Sequence, residues 1–280
     1  MISDAEIRRQ AGTYGLDPML VEKDYILGCY LHYLGRNREI QNHWVFKGGT
    51  CLKKCYFQEY RFSEDLDFTI KEDIEKESLH KLIVETDEIV QNDTGIRLDI
   101  QDPVVEMVDD EYGKESYEVR IYYRGPWPYS GSPPSIRIHL NRDELIVLPV
   151  KTRKIYHAYS DRETLPQATL NIYALEEILV EKLRAFSGQR RFAVARDIYD
   201  IYFLIENGAN IEKTLRVFDK KCLVKGIDPR QLSLKNIVQK ESEYKLNWQR
   251  NLEYLVPVNL KIAFQVAWER AIDILGKILK

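Results

Sequence analysis

The sequence predicts an α+β protein, a mixed β-sheet with flanking helices followed by a helical C-terminal half. Three observations predict it. From Phe46 to Phe68 (FKGGTCLKKCYFQEYRFSEDLDF) the chain runs as an apolar strand, a glycine turn, a short helix-like segment and an alternating strand. From Ile96 to Leu140 short β-rich runs are separated by turn residues, and from Tyr173 onward apolar residues recur at threes and fours. A boundary near residue 165 divides the chain into an αβ domain with N-terminal helices (1–165) and a helical domain (166–280) expected to close the active-site cleft.

The N-terminal helices are expected over Ile2 to about Ala11 and over Pro18 to Leu34, the second opened by Asp17 as cap and Pro18 in the first turn. In the central stretch, Lys47-Gly48-Gly49-Thr50 leads from Val45 and Phe46 into a helix-like segment, Cys51 to Phe57. Bare backbone N–H groups at such a turn suit a phosphate. Asp65-Leu66-Asp67-Phe68-Thr69-Ile70 then alternates, which sends Asp65 and Asp67 to one strand face and Leu66, Phe68 and Ile70 to the core. Two carboxylates one strand step apart suit a hard cation such as Mg²⁺ that also takes phosphate oxygens. Each feature alone reads as an ordinary turn or a solvated strand; together and in this order they read as a site.

Asp73 to Asn92 is patterned as an amphipathic helix covering one sheet face. Strands are expected at Ile96–Ile100, Val104–Val108, Tyr117–Tyr123 and Ser135–Leu140, extending the sheet in antiparallel fashion. On the last of these, Ile136, Ile138 and Leu140 face the core and Arg137, His139 and Asn141 face the other side, so no third carboxylate is offered there. His139 is a poor Mg²⁺ ligand and is read as a hydrogen-bonding group near the site. Ala174 to Phe186 forms a strong helix, and Val194 to Ile205 another, on which Asp197 and Asp200 share a face. By itself that pair reads as a salt-bridged surface helix. Three more helices follow (211–222, 242–255, 260–279), with a basic run between Lys213 and Lys235 that reads as a solvated face or an RNA-facing surface.

The Gly-Gly turn followed by an Asp-x-Asp strand resembles the DNA polymerase β-like nucleotidyltransferase superfamily. More narrowly, Lys47-Gly48-Gly49-Thr50 with Arg61-Phe62-Ser63-Glu64-Asp65-Leu66-Asp67 resembles the AbiEii family, the nucleotidyltransferase toxins of bacterial toxin–antitoxin and phage-defence systems. Val21-Glu22-Lys23-Asp24-Tyr25 is similar to the family's N-terminal helix, and Glu181-Lys182-Leu183-Arg184-Ala185 followed by Arg196-Asp197-Ile198-Tyr199-Asp200 to its downstream blocks. The resemblance spans Val21 to Leu204. It implies a polymerase β-like sheet and transfer of NMP from an NTP to an acceptor, with RNA, in some members the tRNA 3′ end, as acceptor class. It implies catalytic roles for Asp65, Asp67, Lys182 and Asp197 or Asp200, with Asp65 and Asp67 also holding Mg²⁺ or Mn²⁺. Nucleotide contacts fall to Lys47, Gly48, Gly49, Thr50, Arg61 and Ser63, and a cognate antitoxin, a transcriptional regulator, is the expected partner. Two rivals stand beside it: a nucleotide-binding protein without catalysis, consistent with the missing third acid, and a small-molecule nucleotidyltransferase.

The composition is that of an ordinary soluble protein. The 280 residues carry 41 Lys and Arg against 44 Asp and Glu, a net charge of −3, which argues against a globally basic nucleic-acid coat. No apolar run approaches the roughly 20 residues that span a bilayer, and Met1-Ile2-Ser3-Asp4 lacks the features of a signal peptide. Cys29, Cys51, Cys55 and Cys222 form no C-x-x-C pair, and Cys51 and Cys55, at helical spacing, read as small core residues, so a reduced, cytoplasmic setting is expected.

Overall fold

A computed structural model describes residues 1–109, 115–128, 130–189 and 192–279. The Asp109–Gly113 turn and the Arg190-Arg191 pair lie wholly or partly outside the described residues. The chain forms two compact units. One comprises Met1–Asp143, Lys151–Ile172 and Pro257–Asn259; the other comprises Glu144–Val150, Tyr173–Val256 and Leu260–Lys280.

The first unit opens with α1 (Asp4–Tyr14) and α2 (Pro18–Leu34), whose cap is the Asp17 carboxylate accepting from the Met19 N–H at 2.7 Å. After α3 (Arg38–His43) come β1 (Trp44–Lys47), α4 (Gly48–Cys51) continued by a π-helical turn over Leu52–Tyr56, β2 (Asp65–Ile70) and α5 (Lys76–Thr94). Strands β3 (Val104–Asp109), β4 (Glu115–Tyr122), β5 (Ser135–Asn141), β6 (Lys151–Lys154) and β7 (Thr169–Ile172) complete a seven-stranded sheet in the order β3-β4-β5-β2-β1-β7-β6. Placing β1 and β2 inside the sheet buries Trp44, Phe46 and Phe68, whose rings meet at 5.3 and 4.9 Å between centroids. Alternation then leaves Asp65 and Asp67 on the opposite face of β2.

Four sequence expectations change. The helix after the glycine turn starts at Gly48 rather than Cys51, and its second half is π-helical, a form that recurs at functional sites. Residues 96–100 form no strand, only an Arg97–Arg124 bridge, because the Gln91 side chain takes the Leu98 and Asp99 N–H groups. β5 joins β2 in parallel, so only β3, β4 and β5 form an antiparallel extension. Lys151–Lys154 and Thr169–Ile172 are strands, the first a fully exposed edge.

The second unit contains α6 (Leu175–Arg184), α7 (Ala195–Glu206), α8 (Ile211–Val224), α9 (Leu234–Val238), α10 (Glu241–Asn251) and α11 (Phe264–Ile278). Phe186, Tyr244, Trp248, Phe264 and Trp268 stack at its centre, with ring centroids 5.2–5.6 Å apart for Phe186–Tyr244, Phe186–Trp268 and Trp248–Phe264. Part of the basic run is not surface. Lys221 is fully buried, its ammonium 2.7 Å from Glu144, 3.0 Å from Glu177 and 2.9 Å from Glu181, and Lys225 points into the same cluster.

Candidate active site

Gly48 has φ +78, a left-handed conformation, and a Cβ there would collide with the Asp67 carboxylate. A Cβ on Gly49 would sit 2.8 Å from the Arg61 guanidinium and 2.9 Å from Ser63 Oγ. Both glycines are therefore demanded by the protein's own side chains as well as by any ligand above them. Thr50 locks the turn to the acidic strand, its hydroxyl donating to the Asp65 carbonyl at 2.6 Å. Lys47 lies opposite Asp67 in the β1–β2 register and is 6% exposed. Arg61 is 2% exposed and donates to the Phe62 carbonyl at 3.0 Å, and Ser63 is buried beside it. Neither Lys47 nor Arg61 is a surface cation; they are packed against the turn and the acidic strand.

Asp65 and Asp67 stay partly exposed among these buried groups. Burial first, and the Asp67 charge second, raise the Asp65 carboxyl above its usual range, while His139 and Lys23 pull it back. Two carboxylates that repel each other at a partly open face fit a divalent cation held by oxygen ligands. The β2–β5 register sets His139 beside Asp67, and the β5–β4 register sets Glu118 beside His139. The His139 Nδ1 lies 3.7 Å from Glu118 Oε2, so the row across the sheet is Asp67, His139, Glu118. Glu118 was not singled out from sequence. Its signal was the alternation of Ser116, Glu118 and Arg120 against buried Tyr117, Val119 and Ile121, but the strand that would neighbour β4 is not written locally.

A second missed group underlies the turn. Lys54, on the π-helical segment, donates to the Asp24 carboxylate at 2.6 Å and the Asp24 carbonyl at 2.9 Å. Tyr159 donates to the same carboxylate and to the Val21 carbonyl, each at 2.9 Å, and the Tyr156 N–H reaches the Lys54 carbonyl at 2.6 Å. Burial alone would raise the Asp24 carboxyl, but the Lys54 and Lys53 ammonium groups outweigh it and hold it below its usual range. The charges of Glu22-Lys23-Asp24 are thus not one surface face: Glu22 and Asp24 are buried, and only Lys23 reaches outward, 3.6 Å from Glu64. Among the described residues Cys29, His157 and Asp161 form a trio within 4.8 Å. The His157 Nε2 and the Tyr25 hydroxyl each meet the Asp161 carboxylate at 2.9 Å.

In the helical unit, Lys182 on α6 meets two aspartates of α7 at once, Asp197 at 2.9 Å and Asp200 at 3.1 Å. The aspartates are 1% and 0% exposed, so α7 turns this face inward instead of forming a surface salt-bridged helix. One ammonium held by two dry carboxylates is rigidly aimed, and the Lys182 side chain keeps 16% of its surface.

A glycine turn before an Asp-x-Asp strand in the middle of a mixed sheet, followed by helices, defines a nucleotidyltransferase. The chain belongs to the nucleotidyl transferase AbiEii toxin family of type IV toxin–antitoxin systems, whose model matches residues 33–270. Its fold is similar to that of MenT4, a nucleotidyltransferase toxin from Mycobacterium tuberculosis, with a TM-score of 0.62 over 100% of both chains at 18% identity. No curated protein matches it in sequence. The family makes the chain an enzyme that transfers a nucleotidyl group and implies an antitoxin partner. No described helix is long and apolar enough to cross a membrane.

Proposed function

We propose that this enzyme transfers NMP from an NTP to a hydroxyl of an RNA acceptor, the 3′ end of tRNA being the acceptor favoured by its family, and that the reaction needs Mg²⁺. The carrying observation is the contact between turn and strand: Gly48 is left-handed directly against Asp67, and Asp65 stands one strand step away with its charge disfavoured. Asp65 and Asp67 would hold the cation, with Mn²⁺ as a substitute. Bound there, it would neutralise phosphate charge as the pyrophosphate departs.

The rest follows from what the reaction needs. The acceptor hydroxyl gives up its proton as its oxygen bonds to the α-phosphorus, the bond from that phosphorus to the bridging oxygen breaks, and pyrophosphate carries off the electron pair while the proton passes to solvent. Negative charge gathers on the transferred and leaving groups, so catalysis asks for placed cations and N–H donors more than covalent help. The Gly48-Gly49 backbone and Thr50 bind the triphosphate, and Lys47, Arg61 and Ser63 fix that turn. By the family resemblance Lys182 is assigned the cation for the transferring phosphate, and Asp197 and Asp200 hold it. The expected setting is the cytoplasm, with a role in toxin–antitoxin control and phage defence.

Calorimetry with a non-hydrolysable NTP tests the metal assignment. Binding should strengthen on adding Mg²⁺ to the parent and not to Asp65→Asn/Asp67→Asn. Equal Mg²⁺ dependence in both would remove the two aspartates as ligands. A second reading, a binding protein without catalysis, draws on His139 standing where a third carboxylate would. Parent protein that binds NTP and Mg²⁺ yet labels no acceptor would select it.

A further inference from the structure

The edge strand β6 is Lys151-Thr152-Arg153-Lys154, with all four residues exposed. Charges on an edge strand guard against edge-to-edge pairing, which explains one or two lysines. It does not explain the cavity beside them. An open cavity of about 290 Å³ is lined by Gly35, Arg36, Gln41, Lys154, Gln167, Ala168 and Thr169. Its lining holds two cations and three uncharged polar side chains, and no carboxylate. Among the described residues no carboxylate pairs with Arg36, Lys151 or Lys154, although the whole chain has more acidic than basic residues.

The two faces of the strand are organised differently. Thr152 and Lys154 point to the α3 side, where the Thr152 hydroxyl meets Asn171 at 3.1 Å and Asn171 donates to the Gln41 carbonyl at 2.6 Å. Arg153 points the other way and lies over the Tyr56 ring, 4.8 Å from its centroid. Cations thus flank the strand on both faces, one of them held on an aromatic platform, in the manner of a track for a phosphodiester backbone.

We infer that this edge and its cavity form a phosphate-binding track for the backbone of the acceptor RNA, separate from the nucleotide site. β6 is three places from β2 in the sheet, a lateral distance of three spacings of about 4.8 Å, or roughly 14 Å. An RNA held at β6 is therefore within a few nucleotides' reach of the strand that carries Asp65 and Asp67. Arg36 and Lys154 take one phosphate in the cavity, and Lys151 and Arg153 take its neighbours along the edge. The inference rests on the proposal that the acceptor is RNA, and its test separates the two.

The test compares the parent with Arg36→Glu/Lys151→Glu/Lys154→Glu, and with the charge-preserving Arg36→Lys/Lys151→Arg/Lys154→Arg. Affinity for a fluorescein-labelled RNA hairpin with a single-stranded 3′ end is measured by anisotropy across a salt series. NTP binding is measured by calorimetry and RNA labelling by incorporation. Two lost phosphate contacts should lower the slope of log affinity against log salt by about 1.4, at about 0.7 per phosphate for single strands. The KM for RNA should rise about tenfold or more while NTP affinity and kcat at saturating RNA stay at the parent value, and the charge-preserving variant should match the parent. Unchanged RNA affinity and slope in the charge-reversed variant would overturn the track. So would a loss of NTP affinity with RNA binding intact, which would make the cavity a nucleotide site. Parent protein that binds no RNA, yet transfers NMP to a small acceptor, would overturn both the track and the RNA acceptor.

Discussion

Replacing Lys182 with alanine should damage stability as well as catalysis, and the structure says by how much. The ammonium sits 2.9 Å from Asp197 and 3.1 Å from Asp200, and these carboxylates are 1% and 0% exposed. Removing it leaves two like charges dry and facing each other, and breaking a buried pair in this way costs about 3–5 kcal/mol. The lower end applies because the Lys182 side chain is itself 16% exposed. A loss of about 3 kcal/mol corresponds to a fall of roughly 10 °C in the unfolding midpoint of this unit. Urea unfolding of the variant beside the parent reads this deficit directly. The variant Lys182→Met/Asp197→Asn/Asp200→Asn, which removes all three charges, should recover most of the stability and none of the turnover. Lys182→Ala that unfolds at the parent midpoint would refute the reasoning.

Gly49→Ala should cost about 1–3 kcal/mol, since its Cβ would press on the buried Arg61 guanidinium at 2.8 Å, and thermal unfolding with an unchanged midpoint would show that Arg61 does not set the turn. Asp87 is pushed up to about 7 by burial, against the pull of the Tyr30 hydroxyl that donates to it at 2.8 Å. Its folded pKa thus exceeds the unfolded one, so its charge costs nothing below about pH 4 and up to about 4 kcal/mol above pH 7, and Asp87→Asn should gain on the parent as pH rises from 5 to 8. A parent–variant gap that stays constant in urea unfolding would contradict that. Asp67→Asn should raise the midpoint slightly while abolishing transfer, because it removes the charge that disfavours Asp65, and a lowered midpoint would argue against that repulsion.

The acidic strand was readable because one residue in two carries its burial: Leu66, Phe68 and Ile70 against Asp65 and Asp67, Thr69 aside, gave both the span and the face. The glycine turn was readable as a turn, but its cause was not. Arg61 and Ser63 lie more than ten residues downstream of Gly49, and nothing local says that they fold beneath it. Lys151-Thr152-Arg153-Lys154 escaped notice for the opposite reason: an edge strand with no buried side chain leaves no apolar alternation to read. Thr169–Ile172 is too short to carry a period, and its place is set by parallel pairing with β1 more than 120 residues away. Buried charge was the hardest feature to see. Asp24 and Lys54, or Lys221 and Glu144, look like surface residues until the partner that neutralises them is brought alongside.

The most direct test of the central claim is incorporation of labelled NMP into total bacterial RNA with Mg²⁺ present, comparing the parent with Asp67→Asn. Both proteins are first shown to be folded by urea unfolding. The account predicts labelled RNA and released pyrophosphate from the parent and neither from the variant. Undiminished labelling by folded Asp67→Asn would contradict it, because the acidic strand would then not be where the reaction occurs.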